Sequence, residues 1–120
     1  MIDLIQKYCF HITLMLLISI CTLSLWPAAS LPNVPGTDKS HHFIAYAALM
    51  LPTALRQPKQ WFIITIAFLT FSGAIELIQP YVNRYGEWLD MAANALGLLC
   101  GIILAKIILF FVSIRNASTQ

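Results

Sequence analysis

The chain has 120 residues, of which 59% are hydrophobic and only 10% are charged, against about 25% charged residues in an ordinary soluble domain. So few charges do not suit a water-soluble surface, and the length allows one domain at most. The composition therefore predicts a single membrane domain over residues 1–120, with the lipid bilayer as its main partner. The net charge of +2 comes without a basic run, which argues against a nucleic-acid partner.

Four apolar segments, taken in chain order, predict an all-α integral membrane bundle of about four transmembrane helices. Spanning a bilayer takes about 20 helical residues, and the third segment reaches that length only if Glu76 is counted inside it. The second segment is short, starts with His41 and His42 and contains Pro52, so a short or kinked span and a re-entrant helix both stay open. The segments cover residues of about 9–28, 39–55, 60–79 and 91–112.

Proline, glycine and asparagine mark the breaks between these segments. Thr37 or Asp38 is predicted to cap the second helix, because either side chain can accept a hydrogen bond from the first-turn amides. A cleaved signal peptide, with Ala28 and Ser30 as the small residues of the cleavage site, is the less favoured alternative. The uncharged stretch is longer than the apolar region of about 7–15 residues in a signal peptide.

The basic residues predict the orientation of the bundle. With four spans, four basic residues fall on the side of both termini and two on the other side, which places both termini in the cytoplasm by the positive-inside rule. The expected location is the plasma or inner membrane, crossed several times. The first group is Lys7, Arg56, Lys59 and Arg115, and the second is Lys39 and Arg84.

Given this topology, the unusual polar residues collect at the outer end of the bundle. Residues three or four apart in a helix lie one above the other, so helical spacing puts these residues on shared faces. Three helices are therefore each expected to present a polar pair at the same depth, just below the outer interface. Interfacial polarity that merely orients the helices is the alternative interpretation. The polar residues are Asp38, Lys39, His41, His42, Glu76, Gln79, Arg84, Glu87, Asp90 and Asn94, and Tyr46 extends the face of Asp38 and His42.

Glu76 is the hardest of these residues to explain as simple surface polarity. It lies in an apolar helix, where an unpaired carboxylate at mid-membrane costs up to about 3 kcal/mol. Glu76 therefore needs a partner, and His42 and Arg84 are the candidates in the same layer.

Small residues recur every four positions along the fourth segment. The stripe consists of Ala93, Gly97, Gly101 and Ala105, a spacing that lets helix backbones approach closely. Contact within the monomer is favoured over a dimer seam, because the polar end of the same face belongs in the bundle. Ser72 and Gly73 are expected to play a similar role before Glu76. The oligomeric state is left open.

Three motifs, in this order, resemble the VanZ-like family of small integral membrane proteins, which is named for a protein associated with low-level resistance to the glycopeptide teicoplanin. The resemblance covers about residues 38–101 and implies a helical membrane domain with the polar cluster as its site. It implies much less about chemistry. The motifs are Asp38-Lys39-x-x-His42-Phe43-x-x-Tyr46, Gly73-x-x-Glu76-x-x-Gln79 and Arg84-x-x-Glu87-x-x-Asp90-x-x-x-Asn94-x-x-Gly97-x-x-x-Gly101.

Three hypotheses follow for the cluster. In the first, it binds or acts on an envelope lipid or a lipid-linked cell-wall component, with Lys39 and Arg84 on a phosphate and His42, Glu76 and Asp90 as candidate catalytic residues. In the second, the protein modulates envelope composition or glycopeptide access without catalysis. In the third, His42, Glu76 and Asp90 bind a divalent cation. The sequence names no cofactor. No serine or cysteine at the outer end has a convincing nucleophile context, since Ser40, the only nearby serine, is expected to belong to the helix start; a hydrolase with a catalytic triad is therefore disfavoured.

Overall fold

The computed structural model describes residues 1–33 and 35–118. Within these ranges the chain forms four α-helices and no strand, which confirms the all-helical prediction. Two 3₁₀ turns, Ala28–Ser30 and Gln79–Val82, follow the first and third helices. The helices are α1 (Ile2–Leu25), α2 (Asp38–Arg56), α3 (Trp61–Ile78) and α4 (Trp88–Ala117).

Three of the helical stretches in the described part of the chain are long and apolar enough to cross a bilayer, namely Ile2–Leu25, Trp61–Val82 and Trp88–Ala117. The protein is therefore a membrane protein. Two helices extend beyond the predicted apolar segments, since α1 begins at Ile2 and α4 continues to Ala117. Polar and charged residues do not interrupt a helix whose backbone hydrogen bonds continue, so an apolar run predicts a span better than it predicts helix ends.

The second helix is the least apolar and the most central. It packs most extensively against α4 and next against α1, and it also touches α3. Protein neighbours rather than lipid surround much of α2, so it can carry polar residues that a lipid-facing helix could not. The core contains Tyr46, Leu49 and Met50 of α2 together with Ile20, Phe68, Ile75 and Leu98.

The ends of α2 are fixed by local hydrogen bonds. Thr37 is the N-cap, and it forms a capping box with Ser40, in which each side-chain oxygen accepts a hydrogen bond from the backbone amide of the other residue. The prediction of a cap at Thr37 or Asp38 thus resolves to Thr37. The helix continues through Pro52 and ends at Arg56, and the left-handed backbone of the C-cap residue Gln57 (φ 52°) closes the last turn.

The small-residue stripe of α4 faces α2. A Cβ atom on Gly101 would lie 2.7 Å from the Ala47 carbonyl oxygen and 2.9 Å from Met50 Cβ, and one on Gly97 would overlap the Phe43 carbonyl. The predicted contact within the monomer is confirmed. Gly73 differs from the prediction, because its Cβ would meet only Met91 Cε at an ordinary 3.6 Å.

Candidate functional site

The predicted polar residues meet at one end of the bundle, where the start of α2, the end of α3 and the start of α4 come together. Four of their side chains are buried, although all are polar: those of His42, Gln79, Asp90 and Asn94 are each less than one-tenth exposed. Buried polar groups need partners. Their hydrogen bonds and ion pairs therefore define the cluster.

A buried hydrogen-bond chain joins α2, α4 and α3. The Asn94 amide donates from Nδ2 to Ser72 Oγ over 2.7 Å, and its Oδ1 lies 3.1 Å from His42 Nδ1. With the amide held in this orientation, Asn94 Oδ1 accepts the proton of His42 Nδ1, which leaves Nε2 as the ring nitrogen with a free lone pair. Tyr46, 2% exposed, is buried on the same helix one turn after His42.

Two basic residues pair with carboxylates of the cluster. Lys39 Nζ lies 2.9 Å from Glu87 Oε2 and 3.7 Å from Asp90 Oδ1, while Arg84 Nη2 lies 3.8 Å from Asp38 Oδ1. Only the Lys39–Glu87 pair is within hydrogen-bond distance, and both of its side chains are about half exposed. An exposed pair of this kind adds little to stability.

Glu76 is partnered by backbone, which corrects the expectation that His42 or Arg84 binds it. Its Oε2 accepts a hydrogen bond from the Glu87 amide over 3.1 Å. The preceding residue, Gly86, lies so close to the Glu76 carbonyl that a Cβ there would overlap it. Gly86 thus permits the approach that brings the Glu87 amide to the carboxylate. The other oxygen, Glu76 Oε1, is buried without a hydrogen-bond partner among the described residues.

Two of the predicted site residues fasten the end of α1. Gln79 Nε2 donates to the Ser24 carbonyl at 3.2 Å, and Arg84 Nη1 donates to the Leu23 and Trp26 carbonyls, each at 3.3 Å. The last carbonyls of a helix lack intrahelical donors and carry partial negative charge. Both side chains supply hydrogen-bond donors to these carbonyls, and Arg84 also supplies positive charge. Together they attach the end of α1 to the polar cluster.

A cavity of about 430 Å³ lies beside the cluster, between α1, α2 and the connection that joins them. One part of its wall is apolar and the other is polar and charged. Of the two residues predicted to hold a phosphate, Arg84 is in the wall, whereas Lys39 pairs with Glu87 and Asp90 outside it. The wall consists of Ile20, Leu23, Ser24, Leu31, Pro32, Asn33, Asp38, His41, His42, Ala45, Tyr46 and Arg84.

The potential cation ligands also differ from the predicted set. Side-chain ligand atoms of Asp38, His42 and Asp90 lie within 4.8 Å of one another, so that Asp38 stands in the place expected for Glu76. Glu76 is not in this set, and its Oε2 accepts from the backbone of the α3–α4 connection. Three atoms of this kind suit a divalent cation better than an acyl-transfer reaction.

Sequence reasoning missed three contributors to this end of the bundle. Ser72 sits inside an apolar helix and was expected only as a small packing residue, yet its hydroxyl accepts from Asn94. Ser24 belongs to the cavity wall, so Ser40 is not the only serine near the site. Ser40 itself is committed to the α2 capping box. Gly86 lies in the break between the third and fourth apolar segments, where glycine was expected only for the turn, yet it permits the close approach to the Glu76 carbonyl.

Comparison with known proteins gives one result. No curated protein and no solved structure matches the chain. The model of the VanZ/LLP1 family matches residues 4–110, a range that contains the whole polar cluster, the small-residue stripe and most of α1. The match reaches further than the motifs of residues 38–101 that first indicated the resemblance. The chain belongs to the VanZ/LLP1 family.

Proposed function

We propose that this VanZ/LLP1 membrane protein binds the phosphate-bearing headgroup of an envelope lipid or of a lipid-linked cell-wall component. The observation that carries the proposal is the cavity of about 430 Å³, whose wall is apolar along α1 and polar at Asp38, His42 and Arg84. Its volume falls within the range of about 300–1,000 Å³ of small-ligand sites. A cavity with both kinds of wall suits a ligand with a charged head and an apolar tail.

Arg84 is the proposed anion ligand. Its guanidinium is held in place by two α1 carbonyls, and its side chain is only 11% exposed. Guanidinium groups bind phosphate through two parallel hydrogen bonds. The Asp38 carboxylate lies 3.8 Å from Arg84 Nη2, beyond hydrogen-bond distance, so that a phosphate can take its place without breaking a short contact.

The proposed topology has four spans, both termini in the cytoplasm and the cavity near the outer leaflet of the plasma or inner membrane. The distribution of four basic residues against two supports this orientation. Tyr81, Tyr85 and Trp88 lie beside the cluster in sequence and are 89%, 91% and 78% exposed. Exposed aromatic residues are typical of the membrane–water interface, which supports placing the cavity mouth at headgroup depth.

The proposal concerns binding, and catalysis by His42, Glu76 or Asp90 is not needed for it. A serine hydrolase mechanism finds little support. Ser40 is used in the α2 cap, Ser72 is fully buried and bonded to Asn94, and Ser24, in the cavity wall, makes no hydrogen bond to a histidine in the described part of the chain. Binding without catalysis is also compatible with the alternative that the protein alters envelope composition or glycopeptide access.

The test measures binding of a fluorescent short-chain polyprenyl phosphate to the purified protein in detergent micelles, with the matching polyprenyl alcohol as the ligand that lacks phosphate. We expect wild type to favour the phosphate by at least about tenfold, which equals about 1.4 kcal/mol. Arg84→Gln should remove the preference, and Arg84→Lys should retain part of it. Equal affinity for phosphate and alcohol would overturn the proposal.

A second pair of variants tests the cavity without touching a charge. Ala45→Phe places a ring in the cavity wall, whereas Ala48→Phe places the same ring on an exposed position of the same helix. Binding should be lost in the first variant and kept in the second. If both variants bind as wild type does, the ligand lies elsewhere.

A further inference from the structure

We propose that Asp38, His42 and Asp90 form a binding site for a divalent transition-metal ion such as Zn²⁺. Lipid binding does not require this site, and its existence does not depend on the proposed lipid function. The ligand atoms come from the first two turns of α2 and the first turn of α4 and lie within 4.8 Å of one another. Two helix starts thus deliver one imidazole and two carboxylates to one point.

The first supporting observation is a buried oxygen without a donor. Asp90 is 2% exposed, and its Oδ1 accepts no hydrogen bond in the described part of the chain. The nearest cation is Lys39 Nζ at 3.7 Å, too far for a hydrogen bond, and Lys39 already contacts Glu87 at 2.9 Å. A buried carboxylate oxygen is costly to leave unpaired. A metal ion would satisfy it directly.

The second observation is the orientation of His42. Its Nδ1 proton is donated to Asn94 Oδ1, and the Asn94 amide is in turn anchored by Ser72. Histidines that bind metals commonly donate the proton of their other ring nitrogen to a fixed oxygen, which sets the tautomer and the ring orientation. His42 is therefore prepared to offer Nε2 to an ion.

The third observation is the charge balance of the cluster. In the described part of the chain the cluster contains four carboxylates, those of Asp38, Glu76, Glu87 and Asp90, and the two cations Lys39 and Arg84, which leaves a formal charge of −2 with His42 neutral. A divalent ion neutralises this excess. One imidazole with two carboxylates favours Zn²⁺ or Mn²⁺ over Mg²⁺ and Ca²⁺, which prefer oxygen ligands alone.

The site would keep open coordination positions. Asp38 is 60% exposed at its side chain and, like His42, belongs to the cavity wall. An ion held by three protein ligands can bind a water molecule or an anion in a remaining position. Any such anion would approach from the cavity side.

The experiment titrates the untagged full chain in detergent micelles with Zn²⁺ by calorimetry and with Co²⁺ by visible absorption. We expect one ion per chain and a Co²⁺ spectrum that changes when His42 is replaced. His42→Gln, Asp90→Asn and Asp38→Asn should each weaken Zn²⁺ binding at least about tenfold, because even the loss of a partner behind a metal ligand costs about 10–100-fold. Mg²⁺ should bind far more weakly.

His41→Gln is the matched control, because His41 is the neighbouring histidine in the same cavity wall but bonds the Pro35 carbonyl. It should bind Zn²⁺ as wild type does. Unchanged binding in His42→Gln and Asp90→Asn, or an equal loss in His41→Gln, would overturn the site. Because Asp38 is exposed, Asp38→Asn should leave the fold intact, so that a loss of Zn²⁺ binding in this variant would not be the result of misfolding. Polyprenyl phosphate binding is measured separately without metal, so failure of the lipid proposal and failure of the ion site give different results.

Discussion

Gly97 of α4 lies directly against the carbonyl oxygen of Phe43 in α2, with no room for a Cβ atom between them. Asn94 is one turn before Gly97, and His42 directly precedes Phe43. The close approach of the two backbones therefore also sets the 3.1 Å contact between Asn94 and His42. Helix packing and the polar cluster depend on the same glycine.

The first prediction compares two glycine substitutions in helices. Gly97→Ala should lower the free energy of unfolding by about 1–3 kcal/mol, the usual cost of overpacking, because its methyl group meets α2 backbone that cannot move aside. Gly73→Ala should be neutral or stabilising by up to about 1 kcal/mol, since alanine favours helix more than glycine does and its methyl group has room. Reversible unfolding in mixed micelles provides the measurement.

Equal tolerance of the two changes would contradict the packing described for Gly97. Leu98→Ile is a useful additional control, because Leu98 is buried in the core beside Gly97. A swap that conserves volume there should cost less than about 1.5 kcal/mol. From the most to the least stable variant, the expected order is therefore Gly73→Ala, Leu98→Ile and Gly97→Ala.

The stripe of small residues could be predicted from the sequence because close helix packing has a periodic signature. Gly73 shows the limit of that reasoning, since a small residue one turn from Glu76 need not mark a close approach of two backbones. The same holds for Ser72. Its small side chain in an apolar helix predicts close packing, but in the structure its hydroxyl accepts a hydrogen bond from Asn94. Periodicity identifies a helix face, whereas the partner of that face depends on the arrangement of all four helices.

Partners that belong to the backbone were also beyond prediction. Glu76 was expected to pair with a side chain, yet it accepts from the Glu87 amide, and Arg84 binds two carbonyls at the end of α1. Any residue type supplies an amide or a carbonyl, so the sequence carries no trace of these contacts. By contrast, Thr37 could be predicted as a cap because side-chain caps have strong residue preferences.

The second prediction concerns the buried chain through Asn94. Asn94→Leu keeps a similar volume but removes the acceptor for His42 and the donor to Ser72. Orphaned buried polar groups cost about 1–3 kcal/mol, so the free energy of unfolding should fall by about that amount. Thr70→Val is the control, because Thr70 is exposed and bonds only within its own helix. A loss no larger than that of Thr70→Val would show that the chain adds nothing to stability.

The third prediction tests the orientation of the bundle. Single cysteines at Asn33 and Tyr85, in a variant without Cys9, Cys21 and Cys100, should react with an impermeant thiol reagent in intact cells, and one at Gln60 should not. These positions are exposed. They also avoid Asn83 and Gln57, whose left-handed backbones would be strained by cysteine. Labelling at Gln60 with protection at the other two positions would place the termini outside.

The last prediction is that Glu76 and Asp90 act as one unit in binding, although they lie on different helices. Glu76 holds the Glu87 amide and thereby the connection that carries Arg84, while Asp90 lies beside His42 and Lys39. Glu76→Gln and Asp90→Asn change charge but little volume. Asp90→Asn removes a proposed ligand of the ion, and Glu76→Gln removes one of the four negative charges that favour it, so each should lower affinity for Zn²⁺ without lowering membrane abundance or thermal stability.

The double variant separates a shared site from two independent contributions. When two residues work together, the first substitution already removes most of their joint contribution to binding. The double variant should therefore bind hardly less than either single variant. Independent contributions would instead multiply the two losses. If abundance and thermal stability fall in proportion to binding in all three variants, the cluster serves only to pair the helices, because its carboxylates then matter for folding rather than for a ligand.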